Sequence, residues 1–287
     1  MKNAQILLIF LGALLYSCGP TRVPRKFYEY HSSSLGALKT YTAKPAYKGK
    51  KEKALYISAN FSDGAQSQNK SNSEDVKKAG VLSVHRSVTD EYYNLHYGIG
   101  ATYGEYKFGN SLGNFVTNQE KKDYYAINLK TGINFKKSIK KVDFRIIGLE
   151  LAYDYEKGSY YKKISELPTG DIDPGYYNIK VKNPKSIFAY NFNTEVVLKF
   201  NTENNLGLGI FLGQTILSSD SFDFSGFTIS YNYKKVTASL VYENLKSLSN
   251  KTHIKNIKYG LTYELFNKQN KKSKKLTNLK KLKSQKI

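Results

Sequence analysis

The chain predicts an all-β fold: a transmembrane, antiparallel, up-and-down β-barrel of about ten strands with flexible basic tails at both ends. Three observations predict it. Apolar and polar residues alternate with period two through ten segments between Ala54 and Phe266. The connections between those segments are alternately long and short. Glycines and aromatics sort onto opposite faces of the same segments.

In chain order, residues 1–17 come first. Lys2 is followed by an apolar run from Ile6 to Leu15, too short to span a bilayer and fit for a cleaved secretory signal. Residues 18–53 carry nine Lys+Arg against two acids and are rich in Ser, Lys and Gly, which reads as a flexible tether.

The strands follow over 54–266. Tyr93, Leu95, Tyr97, Ile99, Ala101 and Tyr103 alternate with small and polar residues. So do Tyr125, Ile127, Leu129, Thr131, Ile133 and Phe135, then Phe188 to Phe200, Leu206 to Leu212, and Ile257 to Leu265. Segments 54–62, 79–88, 143–156, 224–233 and 236–243 complete the ten, with 79–88 the least regular. Residues 267–287 form a lysine-rich tail with Leu276, Leu279 and Leu282 interspersed.

Alternation alone fits a soluble sandwich as well as a membrane barrel, so other features decide. The expected connections 63–78, 107–122, 157–186, 217–223 and 244–252 are long; 89–91, 136–141, 201–204 and 234–235 are short. That asymmetry belongs to membrane barrels. Ten of the 21 glycines, Gly98, Gly100, Gly104, Gly132, Gly148, Gly207, Gly209, Gly213, Gly226 and Gly260, share the polar register. A small closed barrel needs such glycines for curvature and lumen space. Tyr and Phe stand near both ends of the apolar face, as interfacial girdles do.

Two resemblances follow. Leu15-Tyr16-Ser17-Cys18 resembles a bacterial lipobox, which implies that Cys18 becomes the acylated N-terminus of the mature chain. Gly19 follows where an Asp would imply inner-membrane retention. Residues 54–266 resemble the bacterial outer-membrane β-barrel family. Their last strand, Ile257 to Phe266, is similar to the C-terminal assembly signal of that family, although here a tail follows. The resemblance implies an outer-membrane location, contact with outer-membrane lipids and a protein partner there or in the periplasm. An even strand count places both tails in the periplasm.

Composition narrows the function. The formal charge is +22, from 45 Lys+Arg against 23 Asp+Glu, and 25 Tyr invite a nucleic-acid reading. Most of the excess lies in the two tails, which disfavours a soluble nucleic-acid binder. Mean hydropathy of −0.52 excludes a polytopic helical membrane protein. One Cys excludes a disulfide framework.

The inward register carries Lys130, Glu150, Glu195, Lys199 and Lys258, expected to pair with one another across a narrow lumen. The alternative is an ion or small-solute path lined by the same residues. His96 with Glu150 or Glu243 is the nearest approach to a hydrolase site, and no spacing is specific enough to assign catalysis. No cofactor or metal motif is present: Asp171-Ile-Asp173 lacks the further ligands of a calcium loop and reads as a turn. In the longest connection, Tyr160, Tyr161, Tyr176 and Tyr177 suit recognition of a partner or glycan, or else pack as a lid over the barrel mouth. The expectation is a non-enzymatic, lipid-anchored barrel with a structural or partner-binding role, or an accessory subunit of a larger complex.

Overall fold

A computed structural model describes residues 26–35, 39–48, 51–68, 74–109, 116–117, 119–172, 177–182, 185–201, 203–217, 220–247 and 252–269. The elements are β1 (Lys26–His31), β2 (Glu52–Gln68), β3 (Glu74–Thr89), β4 (Tyr93–Lys107), β5 (Lys121–Ile139), β6 (Val142–Lys157), α1 (Ser159–Ser165), β7 (Gly170–Ile172), β8 (Tyr177–Lys182), β9 (Ser186–Lys199), β10 (Asn204–Leu217), β11 (Asp220–Tyr233), β12 (Val236–Ser247) and β13 (Thr252–Gln269).

Ten of these strands close into an antiparallel barrel in which β2 to β6 and β9 to β13 follow one another and β13 pairs with β2. Every expected barrel segment is present, on its expected face. The polarity is inverted relative to a soluble protein. Ile57, Leu82, Ile99, Leu129, Ile210 and Leu261 are exposed on the outside, whereas Asn94, His96, Asn134, Glu150, Asp154 and Lys258 are buried in the lumen. Only an apolar solvent makes such an exterior favourable.

Register places aromatics near both ends of the apolar band on β4 and β5. Tyr93 pairs with Phe135 near one end, and Tyr103 with Tyr125 near the other. The ten steps from Tyr93 to Tyr103, at roughly 3.3 Å each and a tilt near 40°, span a band about 25 Å tall.

The strands run longer than the alternation indicates. β2 extends to Gln68 and β3 starts at Glu74, so the expected 63–78 connection is mostly hairpin. The expected 217–223 connection likewise shrinks to residues 218–219 between β10 and β11. Beyond the level of Tyr103 and Tyr125 the outer face meets water, so Asp63, Glu74 and Lys78 replace the apolar residues and the period-two signal fades. Two connections on that side remain long, 108–120 and 158–185; the second holds α1, β7 and β8. The opposite end has tight turns, among them Lys140-Lys141 and Lys234-Lys235.

Glycines on the inner register are there because lumen side chains press against them. A Cβ on Gly132 would lie 2.6 Å from the His96 ring. One on Gly148 would overlap the Asn134 amide.

The expected tether is corrected over part of its length. Residues 28–35 and 39–47 lie inside the barrel, where Tyr30, His31, Ser32, Ser34 and Leu35 are almost fully buried. β1 adds to β8 in parallel, and β8 pairs with β7, giving a three-stranded sheet at the long-connection mouth. At its other end the expected C-terminal tail loses Asn267 to Gln269, which belong to β13. Cys18 and the rest of both tails lie outside the described residues.

Candidate functional site in the barrel lumen

The lumen is filled by the chain's own N-terminal segment. At the mouth, Tyr28, Tyr30 and Ile179 of the small sheet pack with Tyr106, Phe108, Tyr124, Tyr160, Ile164 and Leu167. Tyr160 donates to the His31 carbonyl at 2.8 Å, and its ring lies 4.3 Å from that of Tyr106. Tyr106 in turn donates to Asp75 at 2.5 Å. Thr252 donates to the Glu29 carboxylate at 3.0 Å, and Gln66 to the Glu29 carbonyl at 3.1 Å.

Just below, the Glu156 carboxylate gathers the turn at Ser32–Ser34. It accepts from Ser32 Oγ at 2.5 Å, Ser33 N at 3.2 Å, Ser33 Oγ at 2.8 Å and Ser34 N at 2.7 Å. Leu35 then enters an apolar pocket with Leu217, Phe222, Leu245 and Ile254.

Residues 39–48 have no regular secondary structure, so their backbone carbonyls need partners elsewhere. Barrel side chains supply them. Lys258 Nζ donates to Lys39 O at 2.6 Å, Lys130 Nζ to Thr40 O at 3.1 Å, and His85 Nε2 to Ala43 O at 3.0 Å. Arg145 donates to Lys44 O at 3.3 Å, Thr89 to Pro45 O at 3.3 Å, and Lys199 to Tyr47 O at 3.4 Å.

Charges complete the fit. Lys39 forms an ion pair with Glu150, and Lys44 lies 3.8 Å from both Glu150 and Glu195. Tyr41 donates to Glu195 at 3.1 Å. At the turn end the Tyr47 amide donates to Asp143 at 3.0 Å, and Lys51 pairs with Asp90 at 2.9 Å.

This revises the expected charge network. Lys130, Glu150, Glu195, Lys199 and Lys258 all face the lumen, but they do not pair among themselves. Glu150 pairs with Lys39; Glu195 takes Arg145 at 2.5 Å; Lys199 takes Asp143 at 2.6 Å; Lys258 takes Glu243 at 2.7 Å. Lys130 holds Thr40, through its hydroxyl at 2.6 Å as well as its carbonyl. Each of these cations serves the threaded segment or a near neighbour. Arg145, Asp143 and His85 escaped the sequence reading, although all three sit on the inward register and could have been found there.

The tyrosine expectation changes as well. Tyr160 is fully buried in the mouth, which makes it part of the lid rather than a recognition surface. Tyr161 is half-buried, with Lys185 Nζ 5.6 Å from its ring. Tyr177 opens β8 opposite Lys26, and Tyr176 lies outside the described residues. His96 Nε2 stands 3.4 Å from Glu150, the contact considered for a hydrolase. Both groups are buried beneath the threaded segment.

What space remains is small. Four cavities lined by lumen residues hold about 30, 10, 40 and 20 Å³, room for no more than a few waters each.

No family model matches the chain, and no curated protein is similar to it in sequence. Among solved structures, it is similar to the β domain of the Bordetella autotransporter BrkA, at 10% identity and a TM-score of 0.43, over 74% of this chain and all of that one. It is also similar to the translocator domain of the autotransporter NalP from Neisseria meningitidis, at 10% identity and TM-score 0.38, covering 73% and 88% of the two chains. An outer-membrane channel from Pseudomonas putida F1 aligns at 9% identity and TM-score 0.36, over 75% and 96%. These likenesses concern the barrel fold alone.

Proposed function

We propose that this protein is a lipid-anchored outer-membrane β-barrel with a structural or partner-binding role, including that of an accessory subunit in a larger outer-membrane complex. The observation that carries the reading is the inverted polarity of a closed barrel: an apolar band with aromatics near both ends outside, and a polar lumen inside. The filled lumen argues against a channel as the resting function and leaves the outer surface and the mouth as the faces available to partners. By the usual rule for such barrels, the long-connection mouth faces outward and the tight turns face the periplasm.

Fractionation and gel migration test this. The protein should partition with outer-membrane detergent extracts and migrate differently before and after boiling. Recovery in the aqueous phase with unchanged migration would remove the barrel reading and favour a soluble basic protein.

A further inference from the structure

The direction in which the N-terminal segment crosses the lumen separates the two ends of the chain. β1 lies at the long-connection mouth, where Glu29 meets Gln66 and Thr252 near the strand tips. From there the chain passes Glu156, then Glu150, then Asp143, and reaches Lys51 beside Asp90 at the turn end. β2 starts there at Glu52. β13 begins at the mouth, opposite Gln68, and finishes at the turn end with Gln269 opposite Glu52. Lys26 and Gln269 therefore sit at opposite ends of the barrel. An even strand count alone leaves the start of β2 and the end of β13 on one side; the threaded segment carries Lys26 to the other.

We infer that the barrel holds its own N-terminal segment across the membrane, so that residues before Lys26, Cys18 among them, are presented on the long-connection side, opposite the C-terminal tail. The inference rests on the membrane-barrel reading above. Reach decides where an acyl group on Cys18 can insert. Cys18 is eight residue steps from Lys26, at most about 28 Å when fully extended. The hydrocarbon core is about 30 Å thick, and Lys26 already stands beyond it, at the strand tips. A return through the lumen is blocked by residues 28–35 and 39–47, which already fill it. A return outside the barrel would bury unpaired backbone groups in lipid. Acyl chains on Cys18 would therefore enter the leaflet on the long-connection side, the cell surface in the proposed orientation. The lumen's chemistry fits this use: its cations and hydroxyls bind an irregular backbone by its carbonyls, where a solute path would need free space.

The test uses the full-length chain in cells. One protease site is inserted between Thr21 and Arg22, and a second follows Ile287. The inference expects external protease to remove the N-terminal segment in intact cells, with the C-terminal site lost only after the outer membrane is permeabilised. Protection of the N-terminal site in intact cells, or loss of both sites together, would overturn it. Gel migration of the same samples separates the two levels. Heat-modifiable protein with both sites on one side defeats the inference alone; protein that is not heat-modifiable defeats the barrel reading and the inference with it.

Discussion

Glu156 and Glu195 show how single residues hold the threaded segment. Glu156 accepts four hydrogen bonds from Ser32, Ser33 and Ser34, two of them from the backbone amides of Ser33 and Ser34. Glu156→Ala should cost about 2–4 kcal/mol, because it leaves buried donors unsatisfied. The expected signs are a lower melting temperature of the folded gel band and faster proteolysis near Ser34. Glu195 is buried with Arg145 against it, so Arg145→Met leaves the carboxylate only Tyr41 and the more distant Lys44 and should cost about 3–5 kcal/mol. The double variant Arg145→Met/Glu195→Leu should recover most of that loss, since neither charge remains to be desolvated. A double variant no more stable than the single would mean that the ion pair is not the source. Lumen-facing charges were legible in the sequence from the inward register. Their partners were not, because Lys39 and Tyr41 are more than a hundred residues away from Glu150 and Glu195 and sit in a stretch without periodicity.

At the scale of elements, the turns and the lid behave differently. Lys140 and Lys234 adopt φ of 50° and 53° in their two-residue turns, a region that strains a lysine. Lys234→Asn should stabilise the β11–β12 hairpin by about 0.5–1 kcal/mol, read as a rise in the urea midpoint. The Lys51–Asp90 contact closes the turn end. The hydrogen bond from Lys51 holds the Asp90 carboxyl below its usual range. A depressed carboxylate stabilises above its unfolded value and loses that contribution as pH falls through the folded one, so the end of the threaded segment should loosen only in acid. Faster proteolysis near Lys48 at low pH, absent in Asp90→Asn, would show it. The α1 lid buries Ile164 beside Tyr30 and Tyr160. Ile164→Ala should cost about 2–4 kcal/mol and expose the 158–185 connection to protease. The strands themselves were legible because each lies between an apolar and a polar environment, which writes period two into the sequence. α1 and the small sheet were not, since elements of three to seven residues are too short to write a period; α1 buries only Tyr160 and Ile164.

For the whole molecule, the balance of charge takes on a different meaning once the N-terminal segment is placed. Lys39 and Lys44 are not part of a solvated tether; they meet Glu150 and Glu195 inside the lumen, and Lys51 meets Asp90 at the turn end. The barrel and its threaded segment complete each other's hydrogen bonds, which is why a Lys- and Ser-rich stretch can be buried at all. A flexible-tether composition and a plug composition are alike in sequence, because both lack an apolar face; only the acids waiting in the lumen distinguish them.

The central claim is that a membrane barrel is sealed by its own N-terminus. Planar-bilayer recording tests it most directly, comparing the full-length chain with one lacking residues 26–48. The full-length protein is expected to give no steady conductance, and the deletion to give discrete openings. Equal conductance from both would contradict the account, because the lumen would then be open with the segment in place.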